Sequence, residues 1–476
     1  MKISLEGFIM LVYFSAENFR SIKEEIALDM RTAPRLRRYS HHVARPVSKE
    51  KQLSVLKGGV VYGANASGKS NLVKALKFVQ NSVLTSHKAQ NGIKSEPFKL
   101  TETINEESKF YIEFTSFDER YGYGFSLDKE NVTNEYLYLL SNKKQVCIYE
   151  RTYDSHSDSY EITSQIDEFI FVGPEDPSEQ DKFNEAQISE FLLLIKYTAN
   201  NSLFISEAID KNLEKKIPLI RHLVTPMFYF FKYKLTVIFP DTSYGGITRD
   251  VREHNDEKPE YAELLNRFDT GVSGVSSEEV DPNSLPDAMV EAAEQKLKAR
   301  NFVPMEYKGV RYGFEYDKSD NLLISKVVTS RKISESKTVT FDLEEESDGT
   351  CRLLDLLPAI SSRRRNTPEA GKVYVIDEFD RSLHPNISKD LISLFFNGGA
   401  THDEDQLIVT THESNLLDNE LLRRDEIWFV QKEDDQSSIL YSLNDYNERF
   451  DKDLRKAYLS GTYGAVPFIM TDYERD

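Results

Sequence analysis

Eight consecutive residues, Gly63-Ala64-Asn65-Ala66-Ser67-Gly68-Lys69-Ser70, carry two glycines, a lysine and a serine at the spacing G-x-x-x-x-G-K-[ST]. Glycine at both ends lets the backbone curl until successive N–H groups point inward, and a helix starting there adds its positive dipole end. That is the chemistry of cradling a phosphate chain. Lys69 then reaches the β- and γ-phosphates and the Ser70 hydroxyl ligates Mg²⁺, while Asn65, Ser67 and Asn71 complete the loop. The flanks agree. Gly63 follows a short β run, Lys57 to Tyr62, and Leu72, Val73, Leu76 and Phe78 recur on neighbouring helical turns behind it.

A second cluster closes an apolar strand, Val373-Tyr374-Val375-Ile376, with Asp377 and Glu378. Two adjacent carboxylates at the tip of a buried strand need a compensating partner, because unpaired buried charge is costly. A metal ion and an activated water supply one: Asp377 supports Mg²⁺ and Glu378 orients and deprotonates the water. A further apolar strand, Leu407 to Thr411, ends at His412. A lone histidine is more often structural, but sites of α/β proteins form at the carboxyl ends of strands, so His412 reads as a site residue.

The elements that must position these groups are legible in outline. Residues 11–15 and 22–28 read as strands, and Phe110 to Tyr149 alternates in the manner of antiparallel strands. Residues 176–233 carry helical periodicity, Ser243 to Leu285 reads as a mobile loop, and 286–299 is an amphipathic helix opened by proline. Strand-like alternation returns from Tyr307 to Phe341. The last third alternates strand and helix, the mark of a parallel sheet with covering helices.

The 476 residues hold 60 Lys and Arg against 79 Asp and Glu, a formal charge of −19 that argues against a surface coating nucleic acid indiscriminately. One local basic groove remains open; the run Arg363-Arg364-Arg365 is the densest such stretch, and its simplest reading is a solvated loop end. Cys147 and Cys351 read as ordinary buried thiols. No stretch approaches the roughly 20 apolar residues that span a bilayer, and the N-terminus lacks the parts of a signal peptide, so a cytoplasmic location is expected.

Four segments stand in one order: Asn18-Phe19-Arg20-Ser21, the phosphate loop, Glu345 to Thr350 (EESDGT), and Asp377 to Pro385 ahead of Thr410-Thr411-His412. In this the chain resembles the ABC-type ATPases related to the SMC and recombination-repair group. More narrowly it is similar to the stand-alone bacterial ATPases of phage-defence loci, PARIS- and Septu-type systems among them. The resemblance covers roughly residues 10–165 and 320–470.

It implies an α/β fold, a two-lobed ABC ATPase head with a mixed β lobe, a parallel-sheet P-loop core and an inserted, largely helical subdomain. The expected domains are 1–175, 176–300 and 301–476. It implies that Ser347 and Gly349 form a signature turn that covers the γ-phosphate held by another subunit, although Asp348 stands where a glycine is usual. Arg20 would reach the nucleotide, with Asn18 and Ser21 shaping its turn, and a surface ion pair is its alternative reading. Ser382, Leu383 and His384 resemble a loop that carries signals across the dimer, and Met10 resembles the family's first residue. No glutamine-bearing lid loop stands out; Gln80 and Gln90 are the candidates. Tyr458 to Pro467 also resembles the close of these proteins and reads as a packed turn.

The resemblance further implies ATP and Mg²⁺ as ligands, a homodimer or higher homo-oligomer, and a role as sensor and regulator in antiphage defence. A phage-derived trigger and a separate effector nuclease follow as partners, since no nuclease, HNH or Ser-His-Asp arrangement stands out in the sequence. The alternative is an SMC-like DNA-repair ATPase that clamps DNA, against which the acidic charge weighs. A nucleotide-gated scaffold with little turnover is a third reading, and the intact Glu378 speaks against it.

Overall fold

A computed structural model describes residues 8–48, 50–88, 92–142, 144–166, 171–172, 180–181, 185–241, 246–253, 260–298, 301–317, 319–334, 336–360, 371–397, 405–446 and 452–467. Gln90 and Arg363 to Arg365 lie outside these residues. Two compact units make up the chain. One comprises Met1–Val237, Asn366–Phe379 and His402–Asp476, the other Ile238–Arg365 and Asp380–Thr401.

The first unit contains a six-stranded sheet in the order Leu235–Ile238, Val373–Ile376, Gln406–Thr411, Gly58–Tyr62, Ile427–Lys432, Ser438–Ser442. The pairings of the central strands are parallel, and Ser438–Ser442 joins antiparallel at one edge. Every residue of Gly58–Tyr62, Val373–Ile376 and Gln406–Thr411 is buried, as strands covered on both faces must be. Parallel pairing brings the carboxyl ends of all three strands to the same edge of the sheet, where the phosphate loop, the acidic pair and His412 emerge.

A second sheet is antiparallel, running Ser159–Thr163, Gln145–Asp154, Val132–Leu140, Glu119–Leu127, Ser108–Ser116, Leu11–Glu17, Ile26–Asp29. Its alternation is plain in Ser108–Ser116, where Phe110, Ile112 and Phe114 are buried and Tyr111 and Glu113 face the other side. Gln406 ties the two sheets together. Its fully buried amide accepts from Leu11 N at 2.9 Å and donates to Leu11 O at 3.0 Å and Leu56 O at 2.8 Å.

Helices Glu185–Lys196, Phe204–Asp210 and Pro218–Tyr229 form the helical insertion, and they belong to this first unit. The residues from 238 to 300 fold instead with the strands that follow, so the unit boundaries fall elsewhere than at 175 and 300. Side-chain chemistry explains the difference. Phe191 and Phe204 pack edge-on against Tyr149 of the antiparallel sheet at 6.2 and 5.5 Å. Beneath them the wholly buried Glu135 accepts from Arg151 Nε at 2.8 Å, from the Tyr123 and Tyr149 hydroxyls at 2.9 Å each, and from Phe204 N at 2.8 Å. With Ile205 N as a fifth donor at 3.4 Å the buried carboxylate is satisfied, and it fixes the helix to the sheet.

The second unit holds an antiparallel sheet in the order Gly274–Glu279, Leu322–Ser334, Val310–Tyr316, Val303–Tyr307, with Lys337–Asp342 also paired to the long strand Leu322–Ser334. Helix Asp287–Leu297 buries Met289, Ala293 and Leu297 in its core, as its proline-led periodicity predicts. The stretch from 243 to 285 is not a loop throughout. Helices Gly246–Glu253 and Glu260–Arg267 and strand Gly274–Glu279 occupy its described part. Ile247, Val251, Tyr261, Leu265 and Phe268 are buried there, an apolar face diluted in the sequence by the polar residues around it.

Candidate nucleotide site

In the first unit a cavity of about 740 Å³ is bordered by Arg20, Ser21, Asn65 to Asn71, Glu96 to Leu100, Glu378, His412, Lys432 and Gln436. Of the residues assigned to a triphosphate from sequence, Arg20, Asn65, Ser67, Gly68, Lys69, Ser70, Asn71, Glu378 and His412 line this depression, whereas Gly63 and Asp377 do not border it. Helix Lys69–Thr85 starts at it, with Gly68 as N-cap at φ 112°. A side chain at Gly68 would collide with Ser438 Oγ at 2.1 Å, and one at Gly63 would meet Val430 O at 2.4 Å and Ser67 Oγ at 2.5 Å. Both glycines are required by space as well as by curvature. The Lys69 ammonium lies over the loop and donates to Gly63 O at 2.7 Å and Ala64 O at 3.1 Å. Ser67 is 2 % exposed, and its hydroxyl has no hydrogen-bond partner among the described residues.

At the next strand ends, the buried Thr410 hydroxyl donates to Asp377 Oδ1 at 2.6 Å and accepts from Glu378 N at 2.9 Å. Phe379 N donates to Thr410 O at 2.9 Å. These bonds hold Glu378 in the left-handed region, φ 47°, a conformation that costs on the order of 1 kcal/mol or more and persists where surroundings enforce it. Strain of this kind clusters at functional sites. His412 borders the same cavity, exposed at the end of its strand.

Arg20 is also left-handed, at φ 54°, and makes the surface ion pair of its alternative reading. It lines the cavity and pairs with Glu96 at 2.8 Å, with Glu96 O accepting its N–H. Asn18 shapes the turn, donating to Thr103 O and Glu106 O and accepting from Phe98 N. Ser21 accepts from Asn71 Nδ2 at 2.7 Å, so the Asn71 amide braces the loop from behind while its residue lines the cavity.

Sequence reasoning passed over Ser438. Its hydroxyl lies 2.8 Å from Ser21 Oγ and donates to Ser67 O at 2.6 Å, joining an edge strand to both loops. Nothing in the run Ser437-Ser438-Ile439-Leu440 marks it, because its role arises from strand pairing. Thr410 left a trace: with Thr411 it interrupts the apolar run Leu407 to Val409 just before the histidine. Gln80 is buried inside helix Lys69–Thr85 and donates to Phe231 O and Leu235 O, away from the cavity lining.

The signature turn lies in the second unit. Ser347 caps helix Asp348–Ile360, accepting from Thr350 N at 3.2 Å, and Cys351 N donates to Ser347 O. Glu346 before it is gripped by Arg331 through two bonds of 2.7 and 2.8 Å. A side chain at Gly349 would approach Ser382 O to 2.9 Å, and Ser382 is itself left-handed at φ 60°. The turn at Ser347 to Gly349 thus lies against the backbone of Ser382.

Other chemistries fare worse. The structure brings His87 Nδ1 to 2.8 Å from Ser206 Oγ and His87 Nε2 to 3.0 Å from Asp210, but Ser206 is fully buried and cannot meet a substrate. Cys147 and Cys351 are free thiols pushed up to about 11 by burial, hence unreactive near neutral pH. No group of three or more metal-ligating side chains of the His, Cys, Asp and Glu kind occurs among the described residues. No helix among them is long and apolar enough to cross a membrane. The tail folds as a packed turn: Tyr458 and Tyr463 stack on Phe429, and a side chain at Gly464 would meet Gln431 Oε1 at 2.1 Å.

Comparison with curated proteins finds no match. Among solved structures the chain is similar to one titled "Crystal structure of the SmcHead bound to the C-winged helix domain of ScpA", at 14% identity and a TM-score of 0.34, covering 91% of this chain and 97% of that one. Residues 60–418 match a family model described as "AAA domain, putative AbiEii toxin, Type IV TA system". With the phosphate loop, the acidic strand end and His412 all inside that span, the chain belongs to this family of AAA-domain proteins.

Proposed function

We propose that the chain binds ATP with Mg²⁺ and hydrolyses it at a site that a second copy completes. On this reading it serves as the sensing and regulatory subunit of an antiphage defence system and controls a separate toxic nuclease. The observation that carries the ATPase reading is the convergence of Lys69, Glu378 and His412 on one cavity, with Asp377 anchored by Thr410.

The residues fit these ligands. Only glycine fits at Gly63 and Gly68, where a Cβ would collide with Val430 O, Ser67 Oγ and Ser438 Oγ, and the Ser67 hydroxyl is buried without a partner among the described residues. When bound, the nucleotide brings the γ-phosphoryl group and Mg²⁺ neutralises its charge. Lys69 and the loop amides bind phosphate oxygens, and Ser70 and Asp377 hold the cation. Glu378 takes the proton of the attacking water, and His412 orients that water against the γ-phosphate. Ser347 and Gly349 of a second copy close the site with a capped helix N-terminus, whose unpaired N–H groups suit a phosphate.

The regulatory reading draws on the resemblance to phage-defence ATPases and on the AbiEii toxin in the family description. The test is Mg²⁺-dependent ATP turnover by the purified chain, alone and co-expressed with the product of its neighbouring gene. Turnover lost in Glu378→Gln, together with a co-purifying nuclease, supports both parts. Turnover unchanged in that variant removes the ATPase assignment, and a neighbour without nuclease activity removes the effector.

A further inference from the structure

From Met30 to Ser48 the chain carries Arg31, Arg35, Arg37, Arg38 and Arg45 and not one carboxylate, in a protein whose formal charge is −19. Arg31 is engaged by Asp29 through bonds of 2.7 to 3.0 Å. The other four are exposed, and none is paired with a carboxylate among the described residues. An acidic protein that leaves four exposed guanidinium groups within eleven residues, unpaired with any carboxylate among the described residues, has concentrated positive charge in one segment.

A solvated loop would not be anchored as this segment is. The buried Arg423 donates to Arg38 O at 2.5 Å and Leu36 O at 3.3 Å, and is itself held by Asp425 at 2.7 and 2.9 Å. The same Asp425 accepts from Ala33 N at 2.9 Å. Tyr39, left-handed at φ 52°, donates its hydroxyl to Asn419 O at 2.9 Å and stacks on the buried His42, which meets Glu426 at 2.9 Å. These bonds turn the carbonyls of the arch inward and its arginines outward, and Arg38 lies over the Tyr39 ring at 5.2 Å. The arch is preorganised, so a ligand would find its charges already in place.

We propose that this arch, Arg35, Arg37, Arg38 and Arg45, binds the phosphate backbone of nucleic acid without sequence preference. Guanidinium forks match two oxygens of one phosphate, and a polyanion needs nothing more than repeated charge. A folded protein partner needs an apolar anchor at the centre of its contact, and a bilayer needs apolar side chains to insert. No large hydrophobic side chain is exposed anywhere in the arch. The acidic remainder of the surface repels nucleic acid and so confines it to this site. The proposal is independent of the ATPase reading, since none of these arginines borders the nucleotide cavity.

The experiment is fluorescence anisotropy with the full chain, a labelled 30-base-pair duplex and the matching single strand, from 50 to 200 mM salt. Binding should weaken steeply with salt. The triple variant R35A/R37A/R38A should bind at least tenfold more weakly at 50 mM and lose about 3 from the slope of log K against log salt. The lysine triple variant, which keeps the charge, should retain binding, and ATP binding should be unaltered in both, which reports an intact fold. Three results would overturn the proposal: no binding of either probe at 50 mM salt, an alanine variant that binds as tightly as the parent, or displacement of the probe by an equal charge of polyglutamate. The last would assign the arch to an acidic protein instead.

Discussion

The Thr410 hydroxyl lies 2.6 Å from Asp377 Oδ1 and donates to it, across neighbouring parallel strands. The same oxygen accepts from Glu378 N, so one side chain sets both the carboxylate assigned to the cation and the turn that aims the carboxylate assigned to the water. Thr410→Val keeps the shape and removes both bonds. Turnover should fall about tenfold to a hundredfold and the Mg²⁺ requirement should rise, with a stability loss of about 1–3 kcal/mol for the groups left unpaired. Steady-state ATPase assays over a Mg²⁺ titration measure the first pair of effects and chemical denaturation the last.

Lys69→Ala and Glu378→Gln should fail differently. Loss of the lysine removes a charge that binds ground state and transition state alike, so nucleotide binding itself should be lost. The glutamine variant should bind ATP normally, turn over on the order of 10²-fold or more slowly, and accumulate as an assembly. Calorimetry and size-exclusion chromatography with ATP separate the two; equal affinities in both variants would refute the division of roles.

Ser347 has two jobs in this account, and they can be parted. Ser347→Ala should cost about 1 kcal/mol through loss of the helix cap and should also abolish ATP-driven assembly. Ser347→Asp retains a capping oxygen and restores the stability, yet places negative charge against phosphate and should leave assembly abolished. Gly349→Ala should resemble the first variant and lose both stability and assembly, because the added methyl would meet Ser382 O at 2.9 Å. Light scattering with and without ATP, beside thermal unfolding, decides it.

The buried contact of His42 with Glu426 predicts a pH profile. Burial pushes His42 down to about 3 and Glu426 well above its ordinary value, so the folded pair holds one proton, donated from Glu426 to His42 Nδ1. In the unfolded chain the two titrate near 6.5 and 4.5. Between those values both states bind one proton and the pair contributes no slope. Below 4.5 the unfolded chain takes up a second proton before the folded one does, so stability falls as pH drops towards 3. Above 6.5 the unfolded chain loses its proton while folded Glu426 keeps it, so stability falls again as pH rises. Denaturation from pH 3.5 to 9 should show both limbs, and Glu426→Gln should remove the upper one.

Glu135 and Arg151 are fully buried and paired at 2.8 Å, beneath the helical insertion. Removing one partner leaves an uncompensated charge, so Arg151→Met should cost about 3–5 kcal/mol, and Glu135→Gln with Arg151→Met together should cost less than the single change. Urea denaturation of the three variants measures the coupling.

The residues on which the proposed chemistry rests were legible in the sequence alone, because they are set by local order. The glycine spacing of the phosphate loop, the two acids closing Val373–Ile376 and the histidine closing Gln406–Thr411 are properties of short segments. Period-two and period-3.6 burial revealed most elements for the same reason. Tertiary structure decided whatever depends on which strand lies beside which. Ser438 braces the loop because an edge strand folds back against it, Glu96 meets Arg20 across 76 positions, and Gln406 bonds Leu11 across 395. The helices from 185 to 229 joined the first unit because a buried carboxylate and three aromatic rings fixed them there, and such long-range pairings leave no periodic signature in a single chain.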